Sequence, residues 1–117
     1  MLARKFPKSA RLLSQAHYKS LHKNSVRLFG EHITLNVGQK KSVTARLGIT
    51  VSRKYGKAHE RNRFKRIVRE SFREIYGSLP QDLMLNVTPR KSGEALTKQA
   101  VLVDLQNLLA KMLKVHE

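Results

Sequence analysis

Apolar and polar positions follow two periods along this chain. His32–Val37 places Ile33, Leu35 and Val37 on one side and His32, Thr34 and Asn36 on the other, the two-residue period of a half-buried strand. Ser25–Phe29, across Gly30-Glu31, reads as its neighbour. Ala45–Arg53 alternates again, with Leu47, Ile49 and Val51 against Arg46, Gly48, Thr50 and Ser52, and Asp82–Thr88 does so through Leu83, Leu85 and Val87 before Pro89. Between these last two strands the period changes. Over Ala58–Tyr76, at about 100° per residue, Phe64, Ile67, Val68, Ser71, Phe72 and Ile75 gather on one side of a helix. Gly77-Ser78-Leu79-Pro80 predicts its stop, with glycine as the residue after the last turn.

Two further helices complete the pattern. Ser14 can cap a short one over Gln15–Lys23. Glu94–Val115 carries a broad apolar stripe of Ala95, Leu96, Ala100, Val103, Leu105, Leu108, Leu109, Met112 and Leu113. The order helix, three strands, helix, strand, helix predicts a small α+β domain whose helices cover a short four-stranded sheet. The other face of that sheet is floored by Gly, Thr, Ser and Asn. It is either simply solvated or the floor of a groove along which an extended chain can lie.

Composition narrows the class. With 117 residues there is room for one domain, residues 1–117, of which 1–10 form a basic leader. Hydrophobic residues are 40%, too many for a disordered basic tail. No cysteine is present, which excludes a disulfide framework, a thiolate zinc site and a cysteine nucleophile, and suits a cytoplasmic location. The apolar runs are all far shorter than the ~18 residues of a membrane span. The N-terminus has no apolar stretch followed by a cleavage site, although its Arg/Lys-rich, acid-poor composition is shared with transit peptides.

Charge adds a direction. The formal net charge is +16, and it divides as +9 over residues 1–52, +7 over 53–73 and zero over 74–117. A domain charged only for solubility has no reason to crowd +7 into 21 residues, because self-repulsion costs stability. A polyanion is therefore expected on the first two-thirds. On the long helix, Asn62, Lys65, Arg66, Arg69 and Arg73 share a side away from the apolar one, and Glu60, Glu70 and Glu74 form a strip between them. Pairs such as Arg66–Glu70 and Arg69–Glu74 would orient guanidinium groups more than stabilise the helix. Arginine predominates, and its planar fork matches phosphate oxygens.

These residues carry a resemblance. Arg46–Arg73, RLGITVSRKYGKAHERNRFKRIVRESFR, resembles the strand-turn-helix signature of bacterial ribonuclease P protein subunits, whose hallmark is RNRxKRxxRE. Arg61-Asn62-Arg63, Lys65-Arg66 and Arg69-Glu70 match it without a gap, and the FPKSARLL leader, the Leu83–Val87 strand and the last helix sit where that family has its elements. The resemblance implies an αβββαβα domain of the ribosomal protein S5 domain 2-like kind, with a left-handed βαβ crossover that the general right-handed rule would not have predicted. It implies a protein that binds a large catalytic RNA and helps it remove the 5′ leader of precursor tRNA. Arg61, Asn62, Arg63, Lys65, Arg66 and Arg69 would contact that RNA and help order Mg²⁺ held through it. Tyr18, His22, Thr50 and Lys54 match the family's leader contacts, His22 standing where an aromatic ring is common. The holoenzyme is expected to carry one copy of the protein, with no membrane partner.

The residues themselves agree on mechanism. Tyr18 and His22, four apart on one helix face, can stack bases above a small-residue floor. Protein-based cleavage finds no support. Asp82 and Asp104 are the only aspartates and lie on separate elements, and the five histidines form no HExxH pair. No catalytic residue and no protein metal site is expected, so the chemistry falls to the RNA and its Mg²⁺. Two other classes bind nucleic acid without processing it. A ribosomal-like structural protein would explain the charge but not the groove, and a DNA-binding regulator would bring dimer symmetry and short base-reading side chains.

Overall fold

The computed structural model describes residues 25–39, 46–79, 83–90 and 96–115. Strands β1 (Ser25–Phe29), β2 (Ile33–Gln39), β3 (Arg46–Ile49) and β4 (Leu83–Pro89) form one sheet in the order β1-β2-β4-β3. The pairs β1–β2 and β2–β4 are antiparallel, whereas β3 and β4 run parallel, joined through helix α1 (Ala58–Ile75). Helix α2 (Lys98–Val115) follows β4. The expected helix over 15–23, which carries Tyr18 and His22, lies outside the described residues.

One face of the sheet makes the core. Ile33, Leu35 and Val37 of β2, Leu47 of β3 and Leu83, Leu85 and Val87 of β4 are buried against α1 and α2. All six positions expected on the apolar side of α1, including Ser71, are buried. Ser71 survives there because its hydroxyl donates to Ile67 O at 2.9 Å and lies 3.3 Å from Lys98 O of α2.

Several boundaries differ from expectation, each for a local reason. The third strand stops at Ile49 instead of Arg53. Thr50 N still donates to Val87 O, but β4 then reaches Pro89, which has no N–H to continue a ladder, and Arg53–Tyr55 closes into a 3₁₀ turn. Strand β2 runs on past the expected end at Val37 through Gly38 and Gln39, because Met84 and Leu83 lie opposite them. Gly77 is not a left-handed helix stop. After Ile75 the chain tightens into a 3₁₀ turn, Tyr76–Ser78, held by Ser78 Oγ on Ile75 O (3.0 Å) and Leu79 N on Tyr76 O (3.2 Å). Helix α2 begins at Lys98, since Thr97 Oγ1 accepts the Ala100 N–H at 3.1 Å and caps it there. On α2 the expected stripe is wrong at Val103, which is 42% exposed, while Val101 takes the core position. Among the described residues, no helix is long and apolar enough to cross a membrane.

Asp104 is the least expected element of the core. It is 6% exposed, and its carboxylate accepts the backbone N–H groups of Glu31 (3.2 Å), His32 (2.7 Å) and Ile33 (3.1 Å). A helix side chain thereby closes the β1–β2 turn.

Candidate nucleic-acid interface

The basic side of α1 is positioned by what lies behind and before it. Behind it, Phe64, Ile67, Val68 and Phe72 are buried. Before it, Tyr55 is buried with its ring 5.5 Å from that of Phe64, so the Arg53–Tyr55 turn is pinned to the first turns of the helix. Glu60 accepts the Lys57 N–H at 3.0 Å and closes the helix start. Asn62 and Arg66 are exposed, Lys65 and Arg69 half-buried. At about 100° and 1.5 Å per residue, Asn62, Arg66, Arg69 and Arg73 fall within a narrow sector and span about 16 Å.

Two expected contacts sit apart from this stripe. Arg61 is half-buried and its Nη1 donates to Gly56 O at 2.8 Å, so it holds the turn that carries Lys54. Arg63 is exposed but lies about 100° around the helix from Asn62, on the side of Glu70. The acids have structural uses of their own. Glu60 serves the helix start, and Glu74 pairs with Lys98 of α2 at 3.3 Å.

The second surface is the sheet face opposite the core. Register aligns Arg27, Asn36, Asn86 and Gly48 in one row across it. Phe29, Thr34 and Thr88 align in the next, which Thr50 continues beyond the end of β3. At one end of the strands Gly38, Gly48 and Met84 are buried; at the other, Thr50 and Phe29 are exposed, with Thr34 and Thr88 half-buried between them. Thr50 is held by Asn86, whose Nδ2 donates to Thr50 Oγ1 at 3.2 Å. Lys54 is exposed on the adjoining turn. Tyr18 and His22 lie outside the described residues.

A family model described as Ribonuclease P matches residues 6–113. The chain belongs to that family. The ribonuclease P protein component of Chlamydia trachomatis is 43% identical over 89 residues, covering 75% of this chain and 73% of that protein. That of Pseudoalteromonas atlantica is 38% identical over 110 residues, 93% of this chain and 91% of that one. Among solved structures, the RNase P protein of Thermotoga maritima superposes with a TM-score of 0.75 at 35% identity, covering 85% of this chain and 96% of that one. The Staphylococcus aureus protein gives 0.76 at 25% identity, with 90% and 96% covered. The expected α+β fold with a four-stranded mixed sheet is the fold of this family.

Asn86 and Tyr55 were not singled out in the sequence, yet both support the family motif's surroundings. A polar residue amid LMLNV was the available signal for Asn86; Tyr55 gave none, because a turn tyrosine reads as exposed. Among the described residues, no three His, Asp or Glu side chains come together as a group that could hold a metal ion.

Proposed function

We propose that this chain is the protein subunit of a ribonuclease P ribonucleoprotein, binding the catalytic RNA through α1 and the 5′ leader of precursor tRNA along the sheet face and the Lys54 turn. The observation that carries it is the Asn62–Arg66–Arg69 stripe, presented on a helix whose opposite side is buried against the core face of the sheet, together with the other sheet face, partly open at its Thr34, Thr88 and Thr50 end. Guanidinium groups displace counterions from RNA phosphates, which favours association at low salt and weakens it as salt rises. At the open end of that face the short side chains of Thr34, Thr88 and Thr50 let an extended strand approach the backbone, and Thr50 presents a hydroxyl already oriented by Asn86.

In this reading the RNA subunit carries the bond-breaking chemistry with Mg²⁺ held in it. The protein supplies charge neutralisation and fixes the leader, which converts part of substrate alignment into prepaid binding. It acts as one copy per holoenzyme, in the cytoplasm. The test is cleavage of precursor tRNA by the RNA subunit at low Mg²⁺, with and without the protein, and with Arg66→Ala and Arg69→Ala. The wild-type protein should raise rate and substrate affinity, and the variants should lose RNA affinity while their thermal unfolding stays cooperative. No effect of the wild-type protein on processing, with RNA binding retained, would leave a ribosomal-like structural role instead.

A further inference from the structure

Phe29 ends β1 with 59% of its surface exposed, the most exposed of the large apolar side chains among the described residues. Its surroundings argue against a protein or lipid partner. Val26, the other exposed apolar residue of β1, aligns with Val37 on the opposite face of the sheet, so no continuous apolar patch forms. The neighbours of Phe29 on its own face are Thr34 in register and Arg27 two residues before it. Over its ring lies the guanidinium of Arg90, 5.6 Å from the centroid.

The pair is preassembled. Arg90 Nη1 donates to Gly30 O at 2.6 Å and its backbone N to His32 O at 3.0 Å, and the same turn is closed by the Asp104 carboxylate. An aromatic ring in water beside a fixed cation, on a protein of +16 net charge, has the two components that hold single-stranded nucleic acid: a stacking face and a phosphate partner. It also lies on a path. Phe29, Thr34 and Thr88 form the row that Thr50 continues, and three strand spacings of ~4.8 Å put Phe29 about 14 Å from the β3 edge.

We propose that Phe29 and Arg90 form a stacking platform for an unpaired base of the 5′ flanking strand, farther from the cleavage site than the contacts of Thr50 and Lys54. This rests on the function proposed above. Phe29 supplies the π-face, and Arg90, anchored on Gly30, supplies remaining N–H groups to the adjacent phosphate. Both come with little ordering cost, because the turn is rigid before RNA arrives.

The experiment measures affinity of the assembled holoenzyme for precursor tRNAs of graded leader length, some with 2-aminopurine in the leader. Wild type, Phe29→Ala, Phe29→Tyr and Arg90→Lys are compared. Wild-type affinity should rise with leader length and then level off. Phe29→Ala should level off at a shorter leader, losing about tenfold on long leaders only, the scale of one base–aromatic stack. It should also relieve the quenching of the distal 2-aminopurine. Phe29→Tyr should behave as wild type, and Arg90→Lys, which keeps charge but not the planar stack, should fall between. Identical length profiles for Phe29→Ala, Arg90→Lys and wild type would overturn the platform while leaving the proposed function standing. So would a loss that is equal at every leader length, which would assign the corner to another RNA contact. If wild-type affinity itself ignored the leader, the functional reading and the platform would fall together.

Discussion

Replacing Asp104 by Asn tests whether one buried carboxylate organises the turn that carries both Phe29 and Arg90. Its Oδ2 accepts two N–H groups, His32 at 2.7 Å and Ile33 at 3.1 Å, and its Oδ1 accepts Glu31 at 3.2 Å. An amide is nearly isosteric but has one acceptor oxygen. Turned to keep His32 and Ile33, it aims an NH₂ group at the Glu31 N–H; turned the other way, it leaves the fully buried Ile33 amide facing a donor. Glu31 is exposed and can bond water instead, so the first orientation wins. What remains lost is charge assistance on two bonds and one bond outright, about 2 kcal/mol from typical values for hydrogen bonds to charged groups. That should lower the urea midpoint by about 1–2 M at unchanged slope. Gly30→Ala probes the same contact from the other side, since a Cβ there would stand 2.8 Å from Asp104 Oδ2. The two changes should couple, the double variant being less unstable than the sum. A midpoint shift for Asp104→Asn below about 0.3 M, or strict additivity with Gly30→Ala, would refute the argument; chemical denaturation followed by circular dichroism reads both.

Thr97→Ala removes the cap of α2 and should cost about 1 kcal/mol in the same denaturation assay, with the helix fraying at Lys98–Ala100 by amide exchange. Gly77→Ala should instead raise the melting temperature, by about 0.5–1 kcal/mol of stability. A Cβ there meets nothing within 4 Å and the backbone is not left-handed, so only unfolded-state entropy changes. Thr50→Val keeps the side-chain shape but leaves the Asn86 amide, 8% exposed, without that partner. A loss of about 1–2 kcal/mol is expected, together with weaker leader binding in a holoenzyme titration.

Much of the fold was legible locally. The apolar side of α1 could be read residue by residue because a single helix face needs only periodicity, and all six positions are buried. Element ends were less legible, because they depend on partners. Strand β3 ends where β4 reaches Pro89, and β2 continues where Leu83 and Met84 happen to face it. The basic residues of the RNR motif were legible as a group but not in their individual uses. Arg61 gives one of its N–H groups to Gly56 O, and Arg63 sits toward Glu70.

By itself, the sequence determined the types of the described strands and α-helices, the charge gradient that ends at Arg73, the family motif and the absence of cysteine chemistry. These follow from local periodicity and composition, which need no knowledge of what packs where. Only the tertiary structure decided contacts between residues far apart in the chain. Asp104 meets an amide 72 residues away, and Arg90 meets a carbonyl 60 residues away. Strand order then laid Phe29, Thr34 and Thr88 side by side and set Thr50 at the end of their row. Local patterning assigns a side chain to a face, but its neighbours there come from long-range pairing, and the proposed leader path is built from those neighbours.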